Sequence, residues 1–182
     1  MDKIFNNLTN ILPNLARISP HIYLLSIIIY VVLYQSLLSL YLLVSFYIMF
    51  GSNYVFKYIF EFIYKFLNIE TLPILGKGCR PKGAINCSIS WNNNIPQKCL
   101  GFGMPSGHSQ ITWAFTTYIS LITIKLINNY ITNNNITNNN IANQIFYLLV
   151  CPLVIIILVM HSYYISYSRV VIENCHTIQQ VF

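Results

Sequence analysis

Apolar residues run almost without interruption from His21 to Asn68, and no charged side chain occurs over the 30 residues from His21 to Phe50. At 1.5 Å per residue the whole stretch would make about 72 Å of helix, against roughly 30 Å of bilayer core. Two crossings joined by a tight turn are therefore predicted. The turn falls near Gln35-Ser36, giving spans near 21–35 and 37–58, or near Gly51-Ser52-Asn53, leaving 53–68 as a shorter, partly interfacial helix. Glu61 and Lys65 stand at i,i+4 with the acid first, the favourable order for a structural helical pair. A third apolar block covers Ile111–Ile127 and a fourth runs from about Gln144 to Ser166. The pattern predicts an all-α, polytopic transmembrane helical bundle of about four spans.

The segments between these blocks differ in character. Residues 1–20 mix Asp2, Lys3, several Asn and Arg17, without the compact apolar core and small-residue site of a signal peptide. They read as a short amphipathic or irregular lead-in to a single domain over 21–182. The loop 69–104 holds Gly76, Gly78, Gly83, Gly101 and Gly103, the cations Lys77, Arg80, Lys82 and Lys98, and Cys79, Cys87 and Cys99. Loops of this length inside compact proteins are uncommon and tend to be functional or disordered. Residues 128–143 are Asn-rich, repeat Ile-Thr-Asn-Asn-Asn and carry no charge, as a solvated connector would.

Composition bears out the membrane reading. The chain is 55% hydrophobic and 8% charged, where soluble domains carry about 25% charged residues. Its net charge of +6 is accounted for mostly by cations of the segments around Arg80 and Arg169, which removes the case for nucleic-acid binding.

The chemistry concentrates at Gly103-Met104-Pro105-Ser106-Gly107-His108-Ser109-Gln110, a turn that opens the third block with a histidine. A helix N-terminus attracts anions through its free amides. Between His108 and Arg169 lie two apolar blocks, so a chain that crosses twice returns to the same face. His108, the Lys77–Arg80 loop, Arg169 and His176 are then expected on one membrane surface. Two guanidiniums suit phosphate oxygens, and two imidazoles can divide the roles of nucleophile and general acid. The four acids, of which only Glu70 and Glu173 lie near this face, make no metal-binding set, so neither metal nor cofactor is expected.

Arg80-Pro81, Pro105-Ser106-Gly107-His108 and Ser168-Arg169…His176 together resemble the three signature segments of the type 2 phosphatidic acid phosphatase superfamily. The resemblance covers roughly residues 50–182. Tyr167-Ser168-Arg169-Val170, His176-Thr177 and Gln180-Val181 look most like the dolichyl-diphosphatase-like members, which carry Gln where most of the superfamily has Asp. It implies that His176 attacks phosphorus, that His108 protonates the departing oxygen and then activates water, and that Gln180 orients His176. Arg80, Arg169, Ser106 and the Gly107 amide would hold the phosphate oxygens. The family has a Lys seven residues before the Arg, where this chain has Pro73; Lys77 in the glycine loop is expected to serve instead, with Lys57 as the alternative. Six residues separate Arg169 from His176, against five in the family, a difference that a bulge or turn would absorb. The family continues past the nucleophile into a further helix, whereas this sequence stops six residues after His176, so that helix is expected to be missing.

Two functions follow. One is a metal-free phosphatase of a lipid phosphate or diphosphate, working in the endoplasmic reticulum or another internal membrane. The other is an inactive homologue that binds lipid phosphates or a protein partner. His161, within the fourth block, matches no motif and is read as structural. A Cys87–Cys99 bridge is open to the chain if the active face is lumenal or extracellular. Asn86-Cys87-Ser88 and Asn135-Ile136-Thr137 are glycosylation patterns on opposite faces, so both cannot be used.

Overall fold

The computed structural model describes residues 2–81, 84, 87, 102–133 and 141–181. It is built of α-helices with one small antiparallel β-hairpin: α1 (Asp2–Tyr34), α2 (Leu37–Phe66), β1 (Thr71–Leu72), β2 (Gly76–Lys77), α3 (Gly107–Asn133), α4 (Ile141–Ile145), α5 (Cys151–Tyr167) and α6 (Ile178–Val181). A π-helical turn over Phe146–Val150 joins α4 to α5, and another over Ser168–Ile172 extends α5. The chain forms two compact units, residues 1–112 with 164–182, and residues 113–163.

In the first unit, the long apolar stretch breaks at Gln35-Ser36, the first of the two expected places. Gln35 turns the chain with a φ of 43°. Ser36 then caps α2: its side chain accepts from the Ser39 amide at 3.1 Å, and Ser39 Oγ accepts from the Ser36 amide at 3.1 Å. This reciprocal box satisfies two of the donors that a helix start leaves open. Gly51-Ser52-Asn53, the other candidate, lies inside α2, where Ser52 Oγ donates to the Met49 carbonyl and the helix runs on.

Residues 2–20 are helical and continuous with the first span, rather than an irregular lead-in. Pro13 and Pro20 both lie within α1. The helix is carried through them by an inward stripe of Ala16, Ser19, Tyr23 and Ile27, spaced three or four residues apart and buried. The buried positions of α2, Ser39, Leu42, Phe46 and Asn53, follow the same periodicity. The opposite faces carry Val32, Leu33, Leu37 and Tyr58, all well exposed. Apolar side chains turned outward in this number are lipid-facing.

Among the described residues, three helical stretches are long and apolar enough to cross a membrane: Ile11–Tyr34, Leu37–Phe66 and Asn143–Ile172. The chain is thus an all-α membrane helical bundle. The remaining expected span, Ile111–Ile127, is helical as part of α3, but Thr112, Thr116, Thr117, Ser120, Thr123 and Lys125 dilute its apolar character and it is not among the three.

In the second unit, Thr116 Oγ1 and Ser162 Oγ share a hydrogen bond of 2.7 Å, and Thr116 Oγ1 also reaches the Leu158 carbonyl. The expected 128–143 connector is shorter than its composition suggests. α3 continues to Asn133 and α4 begins at Ile141, with the Tyr130 and Tyr147 rings stacked at 4.5 Å. The intervening residues 134–140, with the Asn135 glycosylation pattern, fall outside the described residues.

Candidate active site

The site is assembled within the first unit from α1, α2, the hairpin, the start of α3 and the segment after α5. Its frame is the glycine loop. Tyr64 Oη donates to the Gly76 carbonyl at 2.7 Å, and the Gly103 amide donates to the Gly78 carbonyl at 2.9 Å. Cys79 and Phe102 form an isolated antiparallel bridge. The two ends of the 69–104 loop are thereby tied together, with Arg80 just beyond the tie.

Gln180 joins this frame to the last segment. Its Nε2 donates to the carbonyls of Lys77 at 2.6 Å and Cys79 at 3.2 Å. Those carbonyls can only accept, so the amide orientation is determined and Oε1 faces the other way. Oε1 lies 3.3 Å from His176 Nδ1 and accepts the Thr177 amide at 3.2 Å. His176 therefore carries its proton on Nδ1, and Nε2 keeps a lone pair. Gly103 allows this approach, since a Cβ there would stand 2.6 Å from Gln180 Oε1.

The Pro-Ser-Gly-His turn sits directly on that arrangement. Met104–Pro105 is cis, and the Ser106 amide donates to the Gln180 carbonyl at 2.8 Å. Asn53 Nδ2 reaches Gln110 Oε1 at 2.6 Å and the Pro105 carbonyl at 3.4 Å, which locks the turn to α2. α3 starts at Gly107, so the amides of its first turn lack intrahelical acceptors and carry the positive end of the helix dipole. Ser106 Oγ and Thr177 Oγ1 are buried and meet no hydrogen-bond partner among the described residues. Buried hydroxyls in that condition are uncommon and mark places where a ligand or water completes the bonding.

His108 Nε2 lies 3.1 Å from the Arg17 carbonyl. A carbonyl only accepts, so this histidine holds its proton on Nε2, the opposite tautomer to His176. Pro20 withholds the N–H that the Ala16 carbonyl would otherwise receive, opening the wall of α1 in the same turn.

The cations converge from separate elements. Arg80 Nη1 and Arg169 Nη2 both donate to the Cys87 carbonyl, at 3.4 and 2.9 Å. Arg169 is fully buried and pairs through Nη1 with Glu173, whose other oxygen takes Arg17. Burial, then the charge of Arg169, pushes Arg80 down to about 10, so it remains protonated at neutral pH. His108 and His176 are held well below the usual imidazole value, chiefly by burial and then by the surrounding cations Arg80, Arg169 and Lys57. Both imidazoles are neutral at pH 7.

Most of the sequence-predicted residues meet here: Arg80, Ser106, Gly107, His108, Arg169, His176 and Gln180. Lys77 does not join them. Its carbonyl serves Gln180, but its side chain is exposed, because it lies on a strand whose alternation turns it outward. Among the described residues, Lys57 on α2 is the lysine whose charge acts on both histidines. Glu61 and Lys65 form the expected exposed pair at 2.7 Å. The extra residue between Arg169 and His176 is taken up by the π-helical turn, in which the Glu173 amide bonds to the Ser168 carbonyl five residues back. Asn174, with φ 49°, then reverses the chain so that the amides of Cys175 and His176 both donate to the Arg169 carbonyl. The disulfide also differs from expectation: Cys87 pairs with Cys175, brought to it by this reversal. Cys99, and Asn86 and Ser88 of the other glycosylation pattern, fall outside the described residues.

Sequence reasoning passed over Arg17, Glu173, Asn53 and Gln110 as site residues. A lone Arg before an apolar run and a lone Glu seven residues after Ser166 offer no spacing signal, since they meet across 156 positions.

The PAP2 superfamily matches residues 38–182. The chain belongs to the PAP2 superfamily. It is accordingly a membrane hydrolase of the phosphatase type, in a superfamily acting on phosphate esters, generally of lipids. No curated protein and no solved structure matches the chain. In this PAP2 chain the matched stretch supplies everything named above except α1, which lies before it.

Proposed function

We propose that this PAP2 protein hydrolyses a lipid diphosphate of the dolichyl or polyprenyl type through a phosphohistidine, without metal. The observation that carries the reading is the convergence of two guanidiniums, from Arg80 and Arg169, on one neutral carbonyl beside two neutral imidazoles. Two like charges sharing a neutral acceptor are better served by an anion, and a phosphoryl group presents oxygens to both forks. Among the described residues no three His, Cys, Asp or Glu side chains gather as metal ligands.

The Nε2 lone pair of His176 attacks phosphorus in line with the bond to the bridging oxygen. That bond breaks, its electron pair leaves with the lipid phosphate, and an N–P bond takes its place. Arg80, Arg169, Lys57, Ser106 and the Gly107 amide spread the charge on the equatorial oxygens. Gln180 Oε1 accepts the Nδ1–H and stabilises the positive charge growing on the ring. Water then attacks the phosphohistidine, giving its proton to His108 Nδ1, while the N–P electrons return to His176 and inorganic phosphate departs. A buried, cation-ringed His108 is neutral at pH 7 and carries no proton on Nδ1 to give in the first step. This favours a leaving group that departs as a stable phosphate anion, which a diphosphate supplies and an alkyl monophosphate does not.

Purified protein in detergent with EDTA is expected to release phosphate from dolichyl diphosphate and to do so faster than from dolichyl monophosphate. His176→Ala and His108→Ala should abolish release, and rapid acid-free quenching should trap an acid-labile phosphoprotein in wild type and in His108→Ala but not in His176→Ala. Release no greater than in those variants, or dependence on added metal, would overturn the reading.

A second reading, phosphate binding without turnover, draws on the same Arg169. Its two terminal nitrogens are each engaged, by Glu173 and by the Cys87 carbonyl, so the fork is held in one orientation whether or not turnover follows. Binding of inorganic phosphate with no hydrolysis would favour it.

A further inference from the structure

Glu173 is buried and touches two arginines from different elements. Its Oε1 accepts from Arg17 Nε and Nη2, both at 3.2 Å, and its Oε2 accepts from Arg169 Nη1. All three side chains are withdrawn from solvent, with exposures of 7% for Arg17, 4% for Glu173 and 0% for Arg169. A buried ion triad is poor value for stability, since well-packed apolar residues commonly do as well. Its retention at the edge of the site calls for another reason.

The geometry supplies one. With Nη1 held by Glu173, the guanidinium plane of Arg169 can turn only so that Nη2 faces Cys87 and the proposed phosphate position. Glu173 is itself fixed at the end of the π-helical turn by its amide bond to the Ser168 carbonyl, and it is anchored from outside by Arg17. The same residue, Arg17, offers its carbonyl to His108 Nε2. One position of α1 therefore orients two members of the site, a guanidinium through Glu173 and an imidazole directly.

We infer that Arg17 and Glu173 are positioning residues of the phosphate site, and that α1, although it precedes the family-matched stretch, is part of this protein's catalytic apparatus. The inference rests on the phosphatase reading only for its kinetic consequences. Orientation of Arg169 toward a phosphate applies to binding as well.

The test uses full-length protein in detergent and the variants Arg17→Lys, Glu173→Gln and the double Arg17→Met/Glu173→Gln. Lysine keeps the charge at 17 but cannot offer two nitrogens to one oxygen. Misplacement of about 1 Å can cost about 100-fold in rate. Glu173→Gln is therefore expected to lower kcat for dolichyl diphosphate by about 100-fold with KM within about threefold, and Arg17→Lys to lower kcat by about tenfold. Because both act through one contact, the double variant should be no slower than Glu173→Gln alone. Glu173→Gln should also move the acid limb of the pH–rate profile to lower pH. Removing the carboxylate that pairs with Arg169 strengthens the positive surroundings that Arg80, Arg169 and Lys57 already impose on His108 and His176. Destabilisation alone would reduce the active fraction without moving that limb.

Unchanged kcat in a folded Arg17→Lys protein, or losses that multiply in the double variant, overturns the inference. Should Glu173→Gln fail to fold, Arg17→Lys decides. Should wild type not hydrolyse at all, the phosphatase reading falls by itself, and affinity for inorganic phosphate becomes the readout. Both single variants are then expected to bind phosphate at least about tenfold more weakly, and equal affinity overturns the inference.

Discussion

At the scale of residues, tautomers decide what the two histidines can do. Gln180 and the Arg17 carbonyl hold the His176 and His108 protons on opposite nitrogens. Gly103→Ala would drive a methyl into Gln180 Oε1 and release Nδ1 of His176. Its expected effect is a loss of about 10- to 100-fold in kcat with near-normal phosphate affinity, checked by steady-state kinetics beside phosphate binding. The depressed imidazoles also make a stability prediction. Both groups bind a proton more readily when unfolded, near pH 6.5, than when folded. Their burial therefore costs nothing above that pH, and stability falls as pH drops below it toward the folded values. Thermal unfolding in detergent should show Tm declining from pH 7 to 5.5, less steeply in His108→Asn. Phosphate in the site should raise both imidazole values, which imidazole NMR titration reads directly. The sequence already carried His108, Arg80, Arg169, His176 and Gln180 as a group, because each lies in a short recognisable motif and two crossings return the chain from His108 to Arg169 on one face. It could not carry Glu173 or Arg17, whose roles exist only where an acid and a base far apart in the chain meet.

At the scale of elements, two local devices set the spacing. The Ser36–Ser39 box ends the ambiguity of the long apolar run, and Ser36→Ala is expected to destabilise the chain by about 1 kcal/mol, measurable by denaturant or thermal unfolding in detergent. The break was legible as one of two candidate sites. What selected it was the cap, since Gly51 can be carried inside a helix at modest cost when both neighbours pack. The π-helical turn was legible only as a mismatch of one residue between Arg169 and His176. Periodicity counts residues, whereas the compensation lies in a backbone bond shifted from i−4 to i−5. Lys57 against Lys77 shows the same limit, because loop proximity in sequence says nothing of which side a strand residue faces. Lys57→Met is expected to weaken phosphate binding more than Lys77→Met, and equal losses would return Lys77 to the site.

At the scale of the whole molecule, the apolar surfaces of α1, α2 and the Asn143–Ile172 stretch were plain from composition, and with them the membrane class. The helicity of residues 2–20 was not, because two prolines and several asparagines mask an inward stripe that begins at Ala16. The Cys87–Cys175 bond has a consequence of another kind. Disulfides persist where thiols are kept oxidised, and this one joins the residue before His176 to the loop that touches both arginines. The site is therefore expected to face the lumen or exterior, and a membrane-impermeant maleimide should label Cys87 and Cys175 in intact vesicles only after reduction and only from that side. Phosphate would then be set free away from the cytosol. A cell that phosphorylates the lipid on the cytosolic leaflet needs a flippase ahead of this step and a phosphate carrier behind it.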